Sequence, residues 1–296
     1  MERRIVDDKT GKQYLVRGPI HENKATGIWC GKAYDNEWGT CFVKIATCLS
    51  GKDFARMKDE ARCIALTEKC SHRVPKLYAH WPDSKNKQYI LVMQWMEGET
   101  LRSWMVNHSP KQWTKRSLRE RMDIVSQICS IMESIARDRQ CQALVHRDLK
   151  PENIMVRHKG EKLEISIIDF GCAPLSYVRN VGTAGYQAPE QTGNYRDYPT
   201  RITQKTDIFA IGQIFYELLS GQLPRIGIDY VRRTGKFEWE TNPSFPNDVK
   251  SLLSDNKLED LLKQMTAFKP ENRIGYSSII TELRRVRFAN PSMAQP

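Results

Sequence analysis

At Glu97-Gly98 the sequence changes its periodicity, and this constrains the fold more than any other feature. Before it, short apolar runs separated by turn residues predict strands at Tyr14 to Arg17, Ile28 to Asp35, Thr40 to Ala46, Lys76 to Trp81 and Gln88 to Gln94. One helix interrupts them, Ser50 to Lys69, where Phe54, Met57, Ala61, Ile64 and Ala65 recur at three- and four-residue steps and Ser50 can cap the start. After Glu97-Gly98 the predicted elements are mostly helices: Leu101 to Val106, Ser117 to Arg137, Thr206 to Gly221, Asp248 to Met265 and Ser277 to Val286. Short strands are expected at Ala143 to Val145, Ile154 to Val156 and Leu163 to Ile168. Ile208-Phe209-Ala210-Ile211 and Ile214-Phe215-Tyr216 are apolar on nearly every side, the mark of a helix buried all round. A small strand-rich part and a larger helical part are therefore expected, joined near Gln94 to Gly98.

At 296 residues with 40% hydrophobic and 27% charged residues, the chain has ample material for a core, and collagen-like, coiled-coil and wholly disordered readings are excluded. No apolar run approaches the roughly 20 residues of a membrane span, and the start, Met1-Glu2-Arg3-Arg4, is not that of a secretory leader. The net charge of +11 invites acidic partners. The basic residues are dispersed in ones and twos and no nucleic-acid motif accompanies them, so nucleic acid is not the expected partner. The eight cysteines include no Cys-x-x-Cys pair and read as reduced thiols of a cytoplasmic protein.

The segment with chemistry in it is Val145-His146-Arg147-Asp148-Leu149-Lys150-Pro151-Glu152-Asn153-Ile154. Pro151 stiffens a loop between two short strands, and one carboxylate, one ammonium and one amide project from it. The segment resembles the catalytic loop of eukaryotic-type (Hanks-type) serine/threonine protein kinases. On that resemblance the trio supplies a base for an attacking hydroxyl, a cation for a migrating phosphoryl group and a neutral oxygen ligand for Mg²⁺. Asp169-Phe170-Gly171, ending the apolar strand Ile165 to Ile168 sixteen residues after Asn153, resembles the family's metal-binding tripeptide. Lys44, in Cys41-Phe42-Val43-Lys44-Ile45-Ala46, resembles its phosphate-pairing lysine. Glu60, sixteen residues on and placed on the inward face by Met57 and Ile64, would be the partner of Lys44. Gly182-Thr183-Ala184-Gly185-Tyr186-Gln187-Ala188-Pro189-Glu190 resembles the end of an activation segment.

The resemblance covers roughly residues 12–288 and implies an α+β, two-lobed protein kinase fold, with a small antiparallel-sheet N-lobe carrying one main helix and a larger helical C-lobe. The divisions it implies are an N-terminal extension 1–11, the N-lobe 12–93, a hinge 94–98, the C-lobe 99–288 and a tail 289–296. ATP and Mg²⁺ are the implied cofactors, and a protein with a Ser or Thr acceptor is the implied substrate. Asp148 would orient or accept the hydroxyl proton, Lys150 steady the transferring group, and Asn153 and Asp169 hold Mg²⁺. Backbone groups of Gln94 and Met96 would meet the adenine edge beside Met93, over a floor at Met155. Lys150 and Thr183 favour Ser/Thr over Tyr acceptors. Glu190 with Arg273, and Asp207, match structural positions of the family. Ser176 is a candidate phosphorylation switch, since Arg147 precedes Asp148 as in kinases that gather a phosphorylated loop.

The match fails at the phosphate-cradling loop. Counting back from Lys44, Gly27 falls at the third glycine, but Glu22 and Lys24 stand at the first two. Trp29 falls where a valine usually roofs the adenine, and Phe42 replaces an alanine. This worn loop motivates the alternative of a pseudokinase scaffold. A small-molecule kinase sharing the fold is a weaker rival, because the Ala-Pro-Glu segment is present.

Overall fold

The computed structural model describes residues 2–171, 181–192, 202–223 and 245–289. The chain divides into two compact units, Met1–Glu97 and Gly98–Pro296.

The first unit is built on a six-stranded antiparallel sheet of order β1-β2-β3-β4-β6-β5. Its strands are β1 (Glu2–Val6), β2 (Gln13–Asn23), β3 (Ile28–Asp35), β4 (Gly39–Thr47), β5 (Leu77–Asp83) and β6 (Gln88–Gln94). Residues 1–11, read from sequence as an extension, thus contain an edge strand, with Arg3 opposite Val16 and Ile5 opposite Tyr14. Its alternation of Arg3-Arg4 with Ile5-Val6 is too short to announce a strand without its partner. The turn joining β3 to β4 is held by Asp35, whose Oδ1 accepts from the N–H groups of Glu37 (2.9 Å) and Trp38 (3.1 Å). One sheet face buries Tyr14, Val16, Trp29, Val43, Ile45 and Trp81. Tyr14 and Trp81 stack at 5.9 Å although three strands separate β2 from β5 in the sheet, so the sheet curls around this cluster.

Helix α1 (Gly51–Thr67) starts at a reciprocal cap: Ser50 Oγ accepts from the Asp53 N–H, and Asp53 Oδ2 accepts from the Ser50 N–H. Its buried face carries Met57, Glu60, Ala61 and Ile64. Burial also governs the thiols. It pushes Cys41 and Cys63 up to about 11 and raises Cys129 further. Iodoacetamide at pH 8 is therefore expected to leave Cys41, Cys63 and Cys129 unmodified in the native protein and to alkylate all three in guanidinium. Peptide mass spectrometry reads the difference, and native labelling of any of them would contradict the packing described.

The second unit opens with β7 (Glu99–Thr100), which joins β8 (Ile154–Lys159) and β9 (Lys162–Ile167) in a three-stranded sheet. Gly98 takes φ +115°, and a Cβ there would run into the carbonyl of Val156, so only glycine fits. Helix α2 (Leu101–Asn107) is capped by Thr100, and α3 (Lys115–Arg137) by Thr114 and Ser117 reciprocally. Helix α4 (Gln204–Ser220) is buried on nearly all sides, as its composition predicts, and ends at Gly221 with φ +71°.

The helix expected over Asp248 to Met265 is two: α5 (Asn247–Ser251) and α6 (Lys257–Met265). Between them Leu253 pairs with Phe288 and the Ser254 N–H donates to the Arg287 carbonyl, while Asp255 Oδ1 accepts from the Lys257 N–H to start α6. A long-range pairing thus overrides local periodicity. Helix α7 (Tyr276–Arg285) follows. The strand expected at Ala143 to Val145 does not form. Leu144 is drawn into a turn by its N–H bond to the Cys141 carbonyl. Among the described residues no helix is long and apolar enough to cross a membrane.

Candidate active site

In the second unit the hairpin β8–β9 carries the chemistry at its open end. Pro151 begins a short 3₁₀ turn, Pro151–Asn153, that leads into β8. The Ile168 N–H donates to the Asn153 carbonyl at 2.9 Å, which sets Asn153 beside the residue preceding Asp169. The His146 ring ties the same two segments. Its Nδ1 accepts from the Asp148 N–H at 3.4 Å and its Nε2 lies 3.2 Å from the Ile168 carbonyl, roles that a neutral imidazole protonated at Nε2 satisfies together. The ring also packs on the fully buried Phe170, with centroids 4.8 Å apart.

Asp148 is the hub. Its Oδ1 accepts from Thr183 Oγ1 at 2.7 Å and its Oδ2 from Lys150 Nζ at 3.0 Å. Lys150 Nζ also reaches Thr183 Oγ1 at 2.8 Å, closing a triangle of carboxylate, ammonium and hydroxyl. Asn153 Nδ2 donates to the Asp148 carbonyl at 2.9 Å. Asp169 holds φ +63° and Arg147 φ +69°, in the left-handed region that L side chains seldom adopt. Such strain persists only where surrounding contacts fix it. For Arg147 the contacts are plain: the buried carboxylate of Asp207 accepts from the N–H groups of both His146 and Arg147 at 2.8 Å, while Gln191 Nε2 donates to the Arg147 carbonyl at 2.8 Å. Burial pushes the Asp207 carboxyl above its ordinary value, against the pull of those two donors.

Glu190 and Arg273 form a two-pronged ion pair at 2.6 and 2.8 Å, with both side chains out of solvent. Thr206 Oγ1 donates to Glu190 Oε1 at 2.8 Å, and Arg273 donates to the carbonyls of Ala267, Lys205 and Phe268. A second cluster escaped the sequence reading. Arg102 binds Glu152 Oε1 (2.8 Å), Glu217 Oε1 (2.5 Å) and the Tyr186 hydroxyl (2.6 Å), and Tyr186 in turn donates to Glu217 Oε2 (2.5 Å). Glu152 and Tyr186 lie inside motifs already singled out, but Arg102 and Glu217 carry no local signal. Ser176 lies outside the described residues.

In the first unit, Lys44 Nζ and Glu60 Oε1 meet at 2.6 Å, both side chains buried. The inward carboxylate has the partner its position required. Gln94 ends β6, and its N–H donates to the Lys76 carbonyl; Met96 follows in the connecting segment. Met155, in the second unit, sits half-buried in β8 opposite Thr100 and Ser166. Gly27 takes φ +65° in the turn between β2 and β3, and a Cβ there would come within 2.8 Å of the Thr47 Cβ. The positive φ and the nearness of Thr47 both favour glycine here.

The expectation for Trp29 is corrected. Trp29 stands opposite Ile45 in the buried cluster, on the sheet face away from Lys44. The residue opposite Lys44 on its own face is Cys30. Strand side chains alternate, so a count that slips by one residue across a hairpin selects the wrong face.

Residues 43–283, most of the chain, match the family model described as a protein kinase domain. The chain belongs to the protein kinase family, on its serine/threonine side. It is similar to the serine/threonine-protein kinase PrkC of Bacillus subtilis (strain 168), 31% identical over 179 residues that cover 56% of this chain and 25% of that protein. The serine/threonine-protein kinase Pkn1 of Myxococcus xanthus is 29% identical over 206 residues, 67% of this chain and 27% of the relative. The interferon-induced, double-stranded RNA-activated protein kinase of Mus musculus is 30% identical over 209 residues, 69% and 36% respectively. The chain thus spans between a quarter and little more than a third of the length of these relatives.

Proposed function

We propose that this chain transfers the γ-phosphoryl group of ATP, with Mg²⁺, to Ser and Thr hydroxyls of protein substrates. The triangle Asp148–Lys150–Thr183 carries the reading. A carboxylate that shares its two oxygens between an ammonium and a hydroxyl is aimed, as a group that orients an acceptor hydroxyl must be. Lys150 places a positive charge beside that carboxylate, where the negative oxygens of a migrating phosphoryl group are stabilised. Thr183 fixes the carboxylate plane, and its hydroxyl adds a marker of Ser/Thr acceptors. The donor set fits a hard divalent cation: an amide oxygen at Asn153 and a carboxylate at Asp169, two residues linked through the Ile168–Asn153 hydrogen bond. Mg²⁺ bound there would neutralise phosphate charge. In the first unit Lys44, held by Glu60, supplies a fixed cation for the phosphates, and backbone groups of Gln94 and Met96 supply polar atoms for the adenine edge. Catalysis on this reading is positioning plus electrostatics.

A protein with an exposed Ser or Thr is the proposed substrate, and the net charge of +11 suits acidic partners. We place the chain in the cytoplasm. Cys41, Cys48, Cys63 and Cys129 are buried thiols, in keeping with a reducing compartment.

The test is incubation with γ-labelled ATP, Mg²⁺ and a generic protein substrate, followed by phosphoamino-acid analysis. Label is expected on serine or threonine, lost on chelation of the metal and in Asp169→Ala. Absence of transfer by the unmodified chain would leave it a scaffold.

A further inference from the structure

The end of α2 and the far end of β8 carry two histidines that the proposed reaction does not use. Helix α2 starts directly after β7, and β7 pairs with β8, with Glu99 opposite Val156 and Thr100 opposite Met155. The helix therefore begins beside the middle of β8. Its C-cap residue, His108, lies against His158, two residues beyond Val156 on the strand. The two ring centroids are 5.7 Å apart and the planes are inclined by 37°. Both residues are exposed.

The His108 ring is held from two sides. It stacks on the fully buried Trp104, one turn earlier, at 5.0 Å and 12°. Its Nδ1 lies 3.0 Å from the Trp104 carbonyl. A carbonyl oxygen only accepts, so Nδ1 carries the proton and Nε2 of the neutral ring keeps its lone pair. The backbone is held as well. The His108 N–H donates to the same carbonyl at 2.8 Å, and the buried Arg121 donates from Nη2 to the His108 carbonyl at 2.7 Å. An imidazole that gives one N–H to a carbonyl and presents its other nitrogen is the arrangement found in metal-ligating histidines. Among the described residues the His158 ring makes no hydrogen bond that would occupy its nitrogens.

The separation suits one ion. A zinc–nitrogen bond of about 2.0–2.1 Å puts a ring centroid about 3.2 Å from the metal, and two such rings at the tetrahedral angle stand about 5.2 Å apart. A shift of about half an ångström brings the two rings to that spacing, a small rotation for exposed side chains. A carboxylate is close by. Glu99, cross-strand from Val156, shares the sheet face of His158, and its Oε2 accepts from the amide of Asn107, the neighbour of His108, at 2.9 Å. Arg157 and Lys159 alternate onto the other face.

We propose that His108 and His158 form a two-imidazole site for a first-row divalent cation, Zn²⁺ foremost, that staples the end of α2 to β8. Water completes the coordination. Imidazole nitrogen selects such ions over Mg²⁺, which takes oxygen ligands. The site is thus distinct in chemistry, as well as in place, from Asn153 and Asp169, which lie at the opposite end of the β8–β9 hairpin.

The full chain, freed of metal by chelation, is titrated with Zn²⁺ by calorimetry at about pH 7.5 without nucleotide, beside His108→Gln, His158→Gln and the double variant. Diethylpyrocarbonate labelling with peptide mass spectrometry reads each histidine with and without Zn²⁺. The unmodified chain is expected to take up one equivalent that either single variant weakens by at least about tenfold, since disturbing even a ligand's hydrogen-bond partner costs about 10–100-fold. Zn²⁺ should protect His108 and His158 from acylation together, and Mg²⁺ should protect neither. Zn²⁺ should also raise the thermal midpoint of the unmodified chain by more than that of the double variant. Zn²⁺ taken up by thiols persists in the double variant, which serves as its blank. Equal Zn²⁺ uptake by the unmodified chain and the double variant, or acylation of both histidines unaltered by Zn²⁺ in the unmodified chain, overturns the site and leaves the proposed function standing.

Discussion

Replacing Asp148 by Asn is expected to lower phosphoryl transfer by about a thousandfold, the range for loss of a positioned acid–base group, with the fold intact. The amide oxygen can still accept from Thr183 Oγ1, but the amide NH₂ then faces Lys150 Nζ, donor against donor, where the carboxylate accepted at 3.0 Å. On the proposed function, both the charge that orients the acceptor and the anchor of Lys150 are lost. Thr183→Val is a graded control: it removes one hydroxyl that bridges Asp148 and Lys150 and leaves the carboxylate in place, so its effect should be smaller. Steady-state rates with label, beside unfolding midpoints for each variant, check both. A transfer rate in Asp148→Asn within threefold of the unmodified chain would dismiss Asp148 from its role.

The second large effect concerns stability. Arg273→Ala is expected to destabilise the second unit by about 3–5 kcal/mol, the cost of leaving a buried charge without its partner. Glu190 would keep only the Thr206 hydroxyl as a donor among its described partners, and three backbone carbonyls would lose theirs. The double replacement Glu190→Met/Arg273→Met should recover much of the loss, since apolar groups of similar volume are tolerated where an ion pair was. Urea unfolding midpoints measure the cycle. A loss below 1 kcal/mol in the single variant would mean that water reaches the pair.

Much of this was legible from residue type and spacing. The helix periodicity says that Glu60 needs a cation, and the family resemblance says that the cation is Lys44; the two meet at 2.6 Å. Asp148, Lys150, Asn153 and Asp169 stand out through the family resemblance, because a short loop and a strand end keep the motif residues in contiguous segments. What stayed hidden depends on contacts distant in the chain. Arg102 meets Glu217 across 115 residues, and neither has a neighbour that advertises the other. The break between α5 and α6 is made by Phe288 and Arg287, which no local window sees. Trp29 was misplaced for a simpler reason: counting across a turn assumes its length, and one residue of slippage reverses the face.

The grip of Asp207 on two successive amides of the loop has a consequence for biosynthesis. The aspartate is sixty residues downstream of Arg147. While the chain is being made, the loop has every one of its own residues outside the ribosome long before the side chain that gives it its shape. A chain lacking α4 would carry the loop's motif residues and yet lack the Asp207 carboxylate that holds two of its amides. That grip therefore forms only once α4 has been made.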